Sequence, residues 1–70
     1  MKAYSMVIPD PLMKMAIHYW AERQFADGCW QENDDGIVFL DEVDAAFFTL
    51  TPEYEQLRNA GSTELVAIEL

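Results

Sequence analysis

The stretch CWQENDDGIVFLDEVD, residues 29–44, contains one glycine, no basic residue and six carboxylic acids: Glu32, Asp34, Asp35, Asp41, Glu42 and Asp44. Such a stretch could have one of three structural or functional roles. Its oxygen atoms could bind a calcium ion, it could form an acidic turn between two strands, or it could present carboxylates to a basic protein surface. The rest of the chain has to distinguish these three uses.

The calcium interpretation treats Gly36 as the sixth residue of a twelve-residue loop at 31–42. The third, fifth and twelfth positions of that loop are then Asn33, Asp35 and Glu42. This window resembles the loop of the EF-hand family, and the resemblance implies a calcium site between two helices. Gln31 stands where that family normally has an aspartate, and the chain contains no second loop of this kind. An acidic turn between two strands is therefore the preferred interpretation.

Other chemistries have few residues to support them. His18 is the only histidine and Cys29 the only cysteine, so a zinc site would consist mostly of carboxylates. His18 lies one helical turn from Glu22, and we expect these two side chains to pair on the helix surface. Cys29 is expected to be a small apolar residue in a reducing cytoplasm. We expect a protein that is not an enzyme, with no catalytic residue, metal or cofactor.

Charge is distributed very unevenly along the chain. Four basic and 13 acidic residues give a net charge of −9, and every charged residue from position 24 to position 57 is acidic. Nucleic acids and anionic membranes repel such a surface, whereas basic protein surfaces attract it. The simpler alternative is that these acids only keep a small apolar protein in solution.

The length and composition indicate one compact domain spanning residues 1–70. Apolar residues make up 51% of the chain, which is too many for a disordered acidic segment. No apolar run approaches the about 20 residues that a membrane helix needs, and no targeting segment is visible. We expect a cytoplasmic protein.

Turn and capping residues predict the order of the secondary-structure elements. The predicted elements are a strand at 2–8, a helix from 11 to about 27, a hairpin around 33–36, a helix at 52–60 and a strand at 62–70. This order predicts an α+β domain, an antiparallel sheet with two helices, in the ferredoxin-like β-α-β-β-α-β arrangement. An alternative keeps three strands and adds a short helix at 42–48, capped by Asp41.

Two further surfaces stand out in the sequence. The helix beginning at residue 11 has a wide apolar arc over residues 12–25 beside a narrow polar stripe formed by Lys14, His18 and Glu22. Such an arc is wider than one sheet face requires and is consistent with a homodimer. Trp30 lies beside the acidic residues, where it could anchor a partner.

The leading hypothesis is a small, non-catalytic inhibitor that blocks a basic, nucleic-acid-binding surface of another protein. Its predicted partner-binding residues are Trp30, Glu32, Asp34, Asp35, Asp41, Glu42 and Asp44. In size and charge alone the chain is similar to phage-encoded anti-restriction and anti-CRISPR proteins, and this similarity implies DNA mimicry without direct binding to nucleic acid. The alternatives are a homodimeric adaptor that uses the apolar helix face and a degenerate EF-hand-like calcium binder.

Overall fold

A computed structural model describes residues 2–26, 28–62 and 64–69. Its elements are β1 (Lys2–Val7), α1 (Pro11–Gln24), β2 (Trp30–Glu32), β3 (Gly36–Phe39), α2 (Glu42–Thr49), α3 (Pro52–Asn59) and β4 (Val66–Glu69). The predicted α+β class and antiparallel sheet are confirmed. The predictions that concern Asp27, Thr63 and Leu70 lie outside the described residues.

The four strands form one sheet in the order β2-β3-β1-β4, and each neighbouring pair is antiparallel. β1 and β2 therefore run parallel, with β3 between them, and α1 connects them across β3. Two helices, α2 and α3, connect β3 to β4 where the sequence predicted one. The protein thus combines the four strands of the first prediction with the short helix of the alternative.

Short-range capping explains where the helices begin. The Asp10 carboxylate accepts a hydrogen bond from the Leu12 amide at 2.9 Å, and Pro11 occupies the first helical position. The Asp41 carboxylate accepts from the Val43 amide at 2.7 Å, and the Thr51 hydroxyl accepts from the Tyr54 amide at 3.4 Å. The sequence predicted Asp10 and Thr51 as N-caps, and it predicted Asp41 as a cap only in the alternative with a short helix at 42–48.

The end of α1 differs from the prediction. The helix ends at Gln24, and Phe25 adopts an extended conformation with φ −122° and ψ 151°. Phe25 is buried, and its ring lies edge-on to Phe39 at a centroid distance of 5.2 Å. Burial of this ring in the core therefore ends the helix before Gly28, which has a positive φ of 88° but does not cap α1.

The hydrophobic core lies on one side of the sheet, beneath the helices. Its largest fully buried side chains are Phe39, Phe48, Met6, Ile37 and Leu57. Residues on the other side of the sheet include Ser5, which pairs with Val38 and Val66, and Ala3, which pairs with Ile68. None of these residues is charged. No helix in the described ranges is long and apolar enough to cross a membrane.

Candidate acidic binding surface

The acidic turn is built around Asn33. Its side-chain oxygen accepts hydrogen bonds from the amides of Asp35 at 3.0 Å and Gly36 at 2.7 Å. The Asn33 amide donates to the Gly36 carbonyl at 3.0 Å, which closes the hairpin between β2 and β3. The carboxylates of Asp34 and Asp35 are left exposed at the tip. The predicted acidic turn is therefore present, with two carboxylates directed away from the core.

This geometry does not assemble the EF-hand ligand set. The window 31–42 folds into most of a hairpin followed by the first residue of α2, and Asn33 uses its side-chain oxygen for the turn. Glu42 lies at the opposite end of β3 from Asn33. In the part of the chain that the structure describes, no group of three or more His, Cys, Asp or Glu side chains could hold a metal ion.

The second group of predicted acids surrounds the start of α2. Asp41 is the N-cap, and its carboxylate lies 2.7 Å from the Val43 amide and 3.4 Å from the Asp44 amide. Glu42 is exposed and Asp44 is half-buried. Partial burial of its carboxyl group, and secondly the negative charge of Asp41, raise the pKa of Asp44 above its ordinary value.

We expect Asp44→Asn to stabilise the protein at neutral pH. Because the folded state raises the pKa of Asp44, it binds this proton more tightly than the unfolded state does, and stability falls as the pH rises through the acid range. Asparagine carries no charge, so it avoids the loss of stability that the ionised Asp44 carboxylate causes. The variant should therefore be more stable than wild type at pH 7 and equally stable near pH 3, where Asp44 is protonated. Urea unfolding at both pH values measures this difference. Glu42→Gln, in the same helical turn, is the control for losing one charge, and an equal gain there would contradict the prediction.

The six predicted acids form two groups at opposite ends of β3. Glu32, Asp34 and Asp35 lie at its start, and Asp41, Glu42 and Asp44 lie beyond its end. At about 3.3 Å per residue, the chain from Asp35 to Asp41 spans at most about 20 Å. The structure therefore presents two anionic groups separated along one strand.

Most of the acidic side chains in this part of the described chain form no ion pair. Within the described residues, no ion pair with a lysine, arginine or histidine involves Asp34, Asp35, Asp41, Glu42, Asp44, Glu53 or Glu55. Glu32 is different, because the Lys14 ammonium lies 3.8 Å from its carboxylate. The same ammonium donates to the Asp34 carbonyl oxygen at 3.1 Å. Lys14 thus ties α1 to the acidic turn.

His18 contacts two carboxylates and two aromatic rings and is partly exposed. Its Nε2 atom lies 3.1 Å from Glu22, which confirms the predicted pair, and its buried Nδ1 atom lies 2.5 Å from Glu32, outside the direction of a regular hydrogen bond. The rings of Tyr19 and Trp30 approach edge-on at 5.5 and 5.4 Å. Both ring nitrogens face carboxylates, so His18 joins α1 to β2.

Glu32→Gln should lower the free energy of unfolding by about 0.5–1 kcal/mol. The expected loss is small because the Glu32 side chain is partly exposed and water screens its ion pairs. Glutamine keeps the shape but removes the charge that both Lys14 and His18 approach. Thermal unfolding in low salt measures the loss. Asp34→Asn is the matched control, because it removes one negative charge from the same turn without breaking an ion pair of the described residues. A Glu32→Gln protein as stable as this control would contradict the assigned role.

The aromatic residue predicted as an anchor is not the most exposed apolar side chain. Trp30 is half-buried, packs against the core and contacts His18. Most of the exposed large apolar residues lie instead on α1 and α2 and at the end of α2, and the others lie on β1 and β4: Leu12, Met15, Tyr19, Val43, Phe47 and Leu50, with Val7 and Val66. Sequence reasoning included the α1 residues in a wide arc but missed those of α2. Their spacing of four and three residues was the available signal.

The described residues thus present two groups of carboxylates, most of them without an ion pair, and a set of exposed apolar side chains. The acids lie in the β2–β3 turn and at the start of α2, and apolar side chains lie on the outward side of α2. No protein-family model, curated protein or solved structure matches the chain.

Proposed function

We propose that the protein binds a basic surface of another protein and thereby blocks the nucleic acid that this surface would otherwise hold. The observation that carries the proposal is the set of exposed carboxylates at both ends of β3, of which all but Glu32 form no ion pair with a basic side chain of the described residues. Uncompensated like charges destabilise a small domain, and a basic partner would relieve that repulsion. Catalysis has no part in this function.

The two anionic groups suit a surface that binds a duplex at more than one phosphate. The major groove is about 12 Å wide, so residues that bind phosphates on both of its sides are separated by a comparable or larger distance. Asp34 and Asp35 can meet one set of lysines or arginines, while Glu42 and Asp44 meet another. Asp41 contributes negative charge but is also required as the cap of α2.

Capture of partners from a lysate of the cell that encodes the protein tests the proposal. We expect the immobilised protein to retain a nucleic-acid-binding protein that duplex DNA displaces. About 1 M salt, where the Debye length is only about 3 Å, should weaken this retention steeply. A partner whose retention salt does not weaken, or that DNA does not displace, would contradict competition for phosphate-binding residues.

A pair of matched variants locates the contact. Asp34→Asn/Asp35→Asn removes two charges from the turn, and Glu64→Gln/Glu69→Gln removes two charges at and just before β4, on the opposite edge of the sheet. We expect the first variant to weaken binding of the captured partner about tenfold, because it removes two charge-assisted contacts, and the second to bind nearly as wild type does. Equal weakening would show that net charge alone determines binding and that the turn is not the contact.

A homodimeric adaptor is the second candidate, and one observation favours it. Leu12, Met15 and Tyr19 recur at intervals of three and four residues on α1 and are 76%, 55% and 54% exposed. Such a stripe can pack against a second helix. The molecular mass in solution at low micromolar concentration distinguishes the candidates, because a strict monomer rules out this one.

A further inference from the structure

Helix α2 is apolar on two sides. Its inward residues Ala45 and Phe48 are 3% and 0% exposed and belong to the core. Its outward residues are also apolar: Val43 is 74% exposed, Phe47 48% exposed, and Leu50, which caps the helix, 85% exposed. With the exposed Ala46, these residues form the α2 seam, a row at positions i, i+3, i+4 and i+7. A helix side that faces only water is normally polar at these positions.

The charges at the two ends of the seam restrict what can cover it. Glu42 and Asp44 lie at its first end, and Glu53 and Glu55 follow its last residue in the first turn of α3. None of these four acids forms an ion pair with a basic side chain of the described ranges.

A second copy of the chain does not suit this seam. In an antiparallel pair of α2 helices, Glu42 and Asp44 of one copy would approach Glu53 and Glu55 of the other. In a parallel pair, Glu42 and Asp44 would approach the same residues of the other copy. Either arrangement adds acid to acid between two molecules that each carry a net charge of −9. The occupant must therefore carry positive charge beside its apolar side chains.

We infer that the α2 seam binds an amphipathic helix of a partner protein whose apolar side chains are flanked by lysine or arginine. This inference rests on the proposed function, because it names the chemistry of the partner surface. Val43, Phe47 and Leu50 lie against the apolar stripe of the partner helix, and the acids at both ends of the seam meet its basic residues. The apolar contacts provide the part of the binding that salt does not remove.

Binding of designed peptides tests this inference on the intact protein. The probe is a fluorescent 18-residue peptide with leucine at i, i+3, i+4 and i+7 and with lysine and arginine beside this stripe. A scrambled peptide of the same composition and a peptide with glutamate in place of the basic residues are the controls. We expect fluorescence anisotropy to show micromolar binding of the first peptide and at least tenfold weaker binding of both controls.

Variants of the protein distinguish the contribution of the α2 seam to peptide binding from that of the acidic residues. Val43→Ser/Leu50→Ser should weaken binding of the basic amphipathic peptide at least tenfold, in low and in high salt. Leu12→Ser, at an equally exposed apolar position on α1, should leave binding unchanged. Circular dichroism verifies that the variants stay folded, as expected for exposed positions.

The possible failures lead to different conclusions. If the seam variant binds as well as wild type, or if Leu12→Ser is weakened equally, the inference is wrong. If the scrambled peptide binds as tightly as the amphipathic one and salt abolishes both, the seam is not a docking site but the proposed electrostatic function stands. If the acidic peptide binds equally well, both the inference and the proposed function fail.

Discussion

Replacing Gly36 with alanine is expected to abolish the native fold. A Cβ atom at this position would lie 1.9 Å from the Met6 carbonyl oxygen and 3.0 Å from the Ile8 amide nitrogen. Both are backbone atoms, so no side-chain rotation relieves the overlap, and β3 would have to move away from β1. These are the two central strands of the sheet. We expect the free energy needed to separate them to be as large as the whole free energy of unfolding of the domain. For small domains that free energy is about 0.05–0.15 kcal/mol per residue.

Far-UV circular dichroism and urea unfolding measure the effect of Gly36→Ala. Gly61→Ala is the matched control, because Gly61 has a positive φ of 96° and a Cβ atom added there would meet open space. Alanine there incurs only backbone strain of about 1–2 kcal/mol, and the fold should persist. If the two variants were equally stable, β3 would not lie against β1 as the structure places it.

Gly36 also illustrates what sequence reasoning could not identify. Asp-Gly in a hairpin predicts a turn glycine, and the hairpin is present. Gly36 nevertheless lies within β3, and its φ is not in the left-handed region. It must be glycine because the β1 backbone passes beside it, opposite Val7. That requirement depends on which strand pairs with β3, and no local pattern records the strand order.

Local signals predicted the helix starts correctly because a cap and its amide partner are two or three residues apart. Asp10, Asp41 and Thr51 all follow this rule. The end of α1 was placed too late for the opposite reason. Phe25 leaves the helix to bury its ring against Phe39, which is 14 residues away in the sequence.

The acids of the candidate site could be identified from the sequence, but their arrangement could not. The acids of residues 32–44 were read as one stretch, but the extended strand β3 separates them into two groups. The contact between His18 and Glu32 requires α1 to pack beside β2, and spacing along the chain does not show this. Phe47 and Phe48 are adjacent in the sequence, and an extended chain would place them on opposite sides. In a helix they are 100° apart, and this rotation is enough to bury one and expose the other.

Phe48→Ala should destabilise the protein by about 3–5 kcal/mol, which is enough to unfold a large fraction of so small a domain. Phe48 is fully buried, and its ring centroid lies 5.1 Å from Phe39, 5.3 Å from Tyr54 and 5.6 Å from Trp20. Alanine leaves a cavity among these rings, because the sheet and helices around it cannot close fully. Urea unfolding at neutral pH measures the loss, with Phe47→Ala as the adjacent control.

Phe47→Ala should cost about 1 kcal/mol or less, because the side chain is 48% exposed and has one aromatic neighbour, Phe25, at 6.0 Å. The same variant should weaken binding of the basic amphipathic peptide, since Phe47 lies in the middle of the α2 seam. Phe48→Ala is therefore expected mainly to lower stability, whereas Phe47→Ala is expected mainly to weaken peptide binding. If both variants were destabilised equally, α2 would have to be rotated about its axis. Its outward side would then no longer consist of Val43, Phe47 and Leu50, and the seam would lose its structural basis.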